Sequence, residues 1–430
     1  MFISQKGKED ENIKIISQQI EQNLLNKIVS YLAFINDKKI LFETIWILIN
    51  ISYENEGETK IGNEKNNLKY ILNFIVNSLN DKIMLYHILW LVRHLTSRNL
   101  GNKLYFFQNN IFDLFQIISD KYEFDDEINN ILIYVICNIC RTTFFDGYDK
   151  EFKKVIPFLT KKINLVNEFK IINMILYIIY KFSDTKNINI IDELLRNNIH
   201  KKIIELYYNI KIIFHKDEEI LQLKLYVLKI FGNITSGEDD NSYVLIKNGI
   251  IPFINYLLKD NDEFIIKNTL WIIRNLMASL PGNLYIFFEN NIINKIIEIG
   301  INIYEIISNN YKGNENLLNS FKHIIYIIYI ILNDQINENF FTVIDYKSSI
   351  CLMFLVYSLS VFENNFDVIK LIFECIHTII LVDDINQKYF NLMLSFGLES
   401  ALDNLMNCEN DKIIEEVKYF HNKIINNNYN

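Results

Sequence analysis

An aromatic residue or lysine followed four positions later by a polar side chain, most often asparagine, recurs along this chain. No other feature constrains the fold as much. The clearest copy runs Lys229-Ile-Phe-Gly232-Asn233-Ile-Thr-Ser-Gly237-Glu238-Asp239-Asp240, and the register restarts 42 residues later at Trp271-Ile-Ile-Arg-Asn275. Earlier copies are Trp46…Asn50, Trp90…His94, Tyr134…Asn138 and Tyr177…Lys181, whose first members are 44, 44 and 43 residues apart, and a faint later one is Tyr326…Ile330. Such a period belongs to helical solenoids, in which each repeat buries its apolar face only against its neighbours. A chain of 430 residues can then form one stack, where length alone would predict two or three globular domains.

A second mark shares the period. Asn109-Asn110-Ile111, Asn197-Asn198-Ile199, Asn248-Gly249-Ile250, Asn290-Asn291-Ile292 and Phe396-Gly397-Leu398 each stand before an apolar segment. Asn and Gly tolerate the left-handed backbone that follows a helix, so each pair predicts a helix stop just before the next start. Together the two marks predict a three-helix repeat of about 42 residues, the armadillo pattern. The expected fold is all-α, a right-handed armadillo-repeat solenoid of about eight to nine repeats over residues 23–430, behind a polar N-terminal tail or partial repeat over residues 1–22. The longer fourth and sixth steps place extra residues near His215–Glu219 and Asn309–Asn319, which read as surface loops.

Composition narrows the function classes. Three prolines and twelve glycines leave few breakers, which favours long helices. Heavy use of Ile, Asn, Lys, Tyr and Phe reads as coding drift that erodes motif residues. A formal charge of −9 argues against a general nucleic-acid binder, which needs a basic footprint. The longest apolar runs, Ile171–Tyr180 and Ser349–Phe362, fall short of the roughly 20 residues a bilayer needs, and the N-terminus has no apolar stretch fit for a signal peptide. Five scattered cysteines suit a reducing compartment without a disulfide frame, so an intracellular protein is expected. Cys137-x-x-Cys140 lies in an apolar helix with no second pair nearby and reads as two core residues. No phosphate loop, nucleophile elbow or His-x-x-x-His spacing occurs, so no enzyme, metal or cofactor is expected.

Residues at i and i+4 share a helix face, one turn apart. Trp46 with Asn50, and Trp271 with Asn275, therefore present an indole and an amide side by side. An aromatic at helical spacing is more often core than ligand platform, but a polar i+4 Asn that repeats is poorly explained by a core. Stacked repeats would align these pairs into a ladder along a concave groove. An indole face holds a lysine stem and attracts its ammonium, about 0.5–2 kcal/mol per contact, and an Asn amide can pair with the backbone of an extended peptide. Tyr177/Lys181 and Tyr326/Ile330 read as packing.

Several segments resemble the importin-α family. Gly232-Asn-Ile-Thr-Ser-Gly-Glu-Asp239 is similar to that family's Gly-Asn-Ile-Val-Thr-Gly-Asp-Asp, Cys137-Asn-Ile-Cys-Arg141 to its Ser-Asn-Leu-Cys-Arg, and Phe182-Ser-Asp184 to its Leu-Ser-Asp. The run Gly397-Leu-Glu-Ser-Ala-Leu-Asp-Asn-Leu-Met-Asn-Cys-Glu409-Asn410 resembles its closing repeat, and the likeness covers roughly residues 24 to 427. The resemblance implies an adaptor for nuclear import, working between cytoplasm and nucleus, that binds basic nuclear-localisation peptides with their lysines between Trp residues. It assigns one peptide site to Trp46, Asn50, Thr59, Trp90 and His94, continued by Tyr134 and Asn138. A second site falls on Lys229, Asn233, Gly237, Asp239, Trp271 and Asn275. It also implies an exportin contact through the C-terminal repeat.

The chain departs from the family at telling places. Arg98 stands where the family has the Asp that pairs with the main peptide lysine, and His94 replaces an Asn. Arg93 and Arg274 sit three residues beyond their Trp, where the family has small side chains, and His323 replaces a glutamate. Only Lys6, Lys8 and Lys14, dispersed, match the basic arm that recruits importin-β, so that partner is not implied. The alternative is an armadillo scaffold that kept the fold but binds a different protein in a cytoskeletal or signalling assembly. A more distant one is a regulator of an enzyme.

Overall fold

The computed structural model describes residues 21–54, 56–141, 149–163, 168–184, 187–280, 282–308, 314–334, 344–345, 349–383 and 387–428. Among them every regular element is an α-helix. A short helix, a medium one and a long one alternate: Gly57–Gly62, Lys65–Asn77 and Lys82–Leu95 form one repeat, and Leu100–Gln108, Ile111–Lys121 and Asp126–Cys140 the next. The protein is an all-α, armadillo-like solenoid of about eight to nine such repeats. Its contacts divide it into two compact units, up to Leu223 and from Lys224 onward.

Within the first unit the long helices stack in order. Lys38–Tyr53 packs on Lys82–Leu95, that on Asp126–Cys140, and that on Phe169–Ser183. In the second unit Glu263–Ala278 packs on Glu315–Asn333, followed by Phe366–Leu381 and Asp411–Asn428. The sequence reason is a wide apolar face on each: Leu85, Ile88, Leu89, Leu91, Val92 and Leu95 are all fully buried on one helix, because it meets a neighbour on both flanks. Cys137 and Cys140 are part of this core, and burial pushes the Cys140 thiol well above its usual range.

The predicted helix stops are where the spacing put them. Asn110, Asn198 and Asn291 have φ of 60°, 56° and 56°, and Gly249 and Gly397 both have 94°. A Cβ at either glycine would meet nothing within 4 Å, so backbone conformation and not crowding selects Gly there.

A third periodic mark escaped the sequence reading. Asp37, Asp81 and Asp125 cap successive long helices, each accepting from backbone N–H groups of the first turn, and Asp262 does the same in the second unit. The first residue of the first two helices then reaches the next cap: Lys38 Nζ lies 2.7 Å from Asp81 Oδ2, and Lys82 Nζ 2.6 Å from Asp125 Oδ2. Capping and inter-repeat pairing thus share one side chain.

Two expectations need correction. His215–Glu219 is not an extended loop, because Asp217, Glu218 and Glu219 form the first turn of the 19-residue helix Asp217–Thr235, where acidic side chains complement the helix dipole. Near Asn309–Asn319, Asn314 caps another 19-residue helix, Glu315–Asn333, while 309–313 lie outside the described residues. At the first of these places added residues lengthened a helix. The expected tail falls outside the described residues except for 21 and 22, which are helical. No helix among the described residues is long and apolar enough to cross a membrane.

The hydrogen bond from Lys38 and the Met84 amide hold the Asp81 carboxyl below its usual pKa. A carboxylate with a depressed folded pKa stabilises at neutral pH, and the gain is lost as pH falls below about 4. Asp81→Ala should therefore cost about 1 kcal/mol in urea unfolding at pH 7. The gap between variant and parent should narrow in acid.

Candidate partner-binding face

The long helices leave one strip of half-buried side chains between their packed flanks. In the first unit Trp46, Trp90, Tyr134 and Tyr177 occupy the same position on four successive helices, all half-buried. The Trp46 and Trp90 rings meet edge to face at 5.9 Å, and His87 fills the corner with Phe42, at 5.6 Å from Trp46 and 4.9 Å from Phe42. His87 and Phe42 lie three and four residues before their Trp, a spacing that could have flagged them.

His94, expected to face a peptide, is engaged at home. Trp90 Nε1–H donates to its Nε2 at 2.8 Å, and the Tyr53 ring covers it at 4.1 Å. Burial, then the neighbouring Arg93 charge, lowers its pKa. Asn50 is exposed beside Trp46. Asn138 Nδ2 donates to the Arg93 carbonyl at 3.0 Å, so this amide closes a neighbouring helix end. Thr59 Oγ1 accepts from Asn99 Nδ2 at 2.9 Å, and Asn99 in turn caps the helix Leu100–Gln108. Thr59 is thereby a link between repeats. Arg98 is exposed in the turn after its helix.

Cations of the chain itself lie on the ladder rings. The Arg93 guanidinium sits 3.8 Å from the Tyr134 centroid, and Lys170 Nζ 5.3 Å from it. Arg141 and Lys181 flank Tyr177 at 5.9 and 6.0 Å. The sequence marked Arg93 as out of place but could not show that it reaches forward to the next repeat.

The second unit follows the same plan. Trp271 lies across Gly232, where an added Cβ would fall 2.0 Å from the indole Cζ3. Glycine at 232 is thus the floor on which the ring rests. Asn275 Nδ2 donates to Ser236 Oγ at 2.9 Å, tying it to the end of the preceding long helix. Lys229, Gly237 and Asp239 are exposed and Asn233 is half-buried, so the structure keeps that expected set near one helix end. Arg274 lies over Tyr326 at 4.9 Å. His323 Nδ1 is buried without a hydrogen-bond partner. Burial first, then the positive charges of Arg274, Lys267 and Lys322, pushes its pKa down to about 4. Tyr177 and Tyr326, read from sequence as packing residues, stand half-buried in the same rows as the tryptophans. Among the described residues no three His, Cys, Asp or Glu side chains converge to hold a metal.

No protein-family model matches the sequence, and no curated protein is significantly similar to it. Solved structures do match. One comes from work on a phosphorylation switch controlling the interaction between cadherin and beta-catenin: TM-score 0.64, 11% identity, 94% of this chain and 78% of that one. The crystal structure of an engineered protein matches with TM-score 0.57 and 10% identity over 93% of this chain and 98% of its own. A designed armadillo repeat protein, 17% identical, covers 63% of this chain and 99% of its own at a TM-score of 0.47, too loose to argue from. At these identities the likeness establishes an armadillo-like solenoid and stops at the fold.

Two measurements follow. Gly232→Ala should displace the Trp271 ring, red-shift tryptophan emission and cost about 1–3 kcal/mol, as overpacking does. His94 is neutral at pH 7, and because its folded pKa is depressed the protein loses stability as pH falls below about 6.5. Protonation of Nε2 breaks the Trp90 bond, so emission should change with a midpoint below 6.5, and His94→Gln should abolish that step.

Proposed function

We propose that this protein is a non-catalytic armadillo-type adaptor that takes an extended segment of a protein partner along the aromatic strip of its long helices. One observation carries the reading. All three tryptophans of the chain stand half-exposed on the strip of their own unit, Trp46 and Trp90 with Tyr134 and Tyr177 in the first and Trp271 with Tyr326 in the second, although the chain has an ample apolar core. Half-exposed indoles are the side chains that anchor partners, since they offer large area at small entropic cost. Beta-catenin, similar in fold, interacts with cadherin, and a protein partner in a signalling or cytoskeletal assembly is the kind we carry over.

The second reading is an importin-α-like carrier of basic nuclear-localisation peptides between cytoplasm and nucleus, released through an exportin. Asn50, exposed beside Trp46, favours it. Arg93 and Arg274 weigh against it, because each lies on the tyrosine face where a peptide lysine would insert.

Peptides selected from a display library on the full chain provide the test, read by intrinsic tryptophan emission. Trp90→Ala and Trp271→Ala should each weaken selected ligands by about 2 kcal/mol, with melting curves to separate binding from the packing loss over Gly232. Ligands that leave emission untouched and ignore both substitutions would remove the strip as the binding face.

A further inference from the structure

We infer that the strip of the first unit binds an acidic segment, its carboxylates held by Arg93, Arg141, Lys170 and Lys181; this rests on the strip being the partner-binding face proposed above. The chain as a whole is acidic, with 52 Asp and Glu against 43 Lys and Arg. The cations that lie on the strip's tyrosine rings run against that balance. Four lysines elsewhere in this unit pair with carboxylates: Lys38 with Asp81, Lys82 with Asp125, Lys154 with Asp113 and Lys161 with Glu123. Among the described residues, none of the four strip cations has a carboxylate within 4 Å. They gather instead on two tyrosine rings.

The choice of cation points the same way. The chain has only five arginines, Arg93, Arg98, Arg141, Arg196 and Arg274, in a sequence that otherwise uses lysine. Three of these lie over a ladder tyrosine, and Arg98 follows one of them by five residues. A lysine would serve a cation–π contact almost as well. Arginine differs in its planar fork of N–H donors, which matches a carboxylate with two parallel hydrogen bonds. With its Cζ over the Tyr134 ring at 3.8 Å, the Arg93 guanidinium is held in place, and its fork of N–H donors is what would take a carboxylate.

Spacing fits an extended chain. Packed helices run about 8–10 Å apart, and an extended peptide advances about 3.3 Å per residue. Carboxylates two or three positions apart therefore meet successive tyrosine–cation pairs. The second unit carries the same sign independently, with Lys267, Arg274 and Lys322 around the unpartnered Nδ1 of His323.

The test titrates the full chain into fluorescein-labelled peptides of alternating Asp and Ser, of alternating Lys and Ser, and of Gly and Ser, at low and high salt. An oligouridylate of matching charge is the fourth probe. The Asp-Ser peptide should bind most tightly and weaken with salt. Arg93→Gln and Arg141→Gln should each weaken it about threefold to fivefold, the scale of a half-exposed ion pair. Arg93→Lys should recover part of the loss, and Arg196→Gln, at the end of the short helix Ile188–Arg196, should leave binding unchanged. Tighter binding of the Lys-Ser peptide, with a change in tryptophan emission, overturns the acidic partner and leaves the face standing. The inference also fails if Arg196→Gln costs as much as Arg93→Gln, or if the oligouridylate binds as tightly as the acidic peptide. If no peptide of any charge moves the emission, the face itself is lost and this inference with it.

Discussion

Burial of the long helices against one another within each unit is what the rest of this structure depends on. A single repeat of three helices has too little interior to hold itself together. The helix Lys82–Leu95 hides its apolar side chains because Lys38–Tyr53 lies on one flank and Asp126–Cys140 on the other. At about 25 cal/mol per Å² of apolar surface, such burial outweighs any single polar contact. One narrow strip per helix escapes it, and that strip is where side chains can serve something other than cohesion.

What the strip does with this freedom is shaped by its own chain. Asn138 donates to a carbonyl at the end of a neighbouring helix, where carbonyls lack intrahelical partners, and Asn275 donates to the Ser236 hydroxyl at the end of another. His94 accepts from Trp90. Arg93, Arg141 and Arg274 settle on tyrosines of the following repeat. These contacts order the surface in advance, which would lower the entropic cost of binding for the partner proposed above. They also set its sign, since a ring face already holding a cation gains little from a second.

The resemblance to importin-α implied an armadillo architecture, and the structure has one. Thr59, which the likeness assigns to a peptide pocket, has a structural part as well: its hydroxyl accepts from Asn99 and joins two repeats. Gly232 is the converse case: a matched motif residue whose reason, the indole resting on it, is structural and yet positions the ring that a ligand would meet. The aspartate caps are hard to read from sequence because a lone Asp is common. Only the 44-residue step from Asp37 to Asp81 to Asp125 separates them from chance.

By itself the sequence determined the local and the periodic. Helix stops at Asn110, Asn198, Gly249, Asn291 and Gly397 follow from backbone preference at single residues, and the repeat follows from a period that is regular from Trp46 to Tyr177 and returns from Lys229 to Trp271. Only the tertiary structure decided which groups meet across repeats. It turned the supposed loop at Asp217–Glu219 into a helical first turn, and it laid Arg93 on Tyr134 and Arg274 on Tyr326. Those partners lie 41 and 52 residues apart along the chain. No local propensity reaches that far, because the pairing is fixed by how stacked helices rotate and slide to fill their shared core.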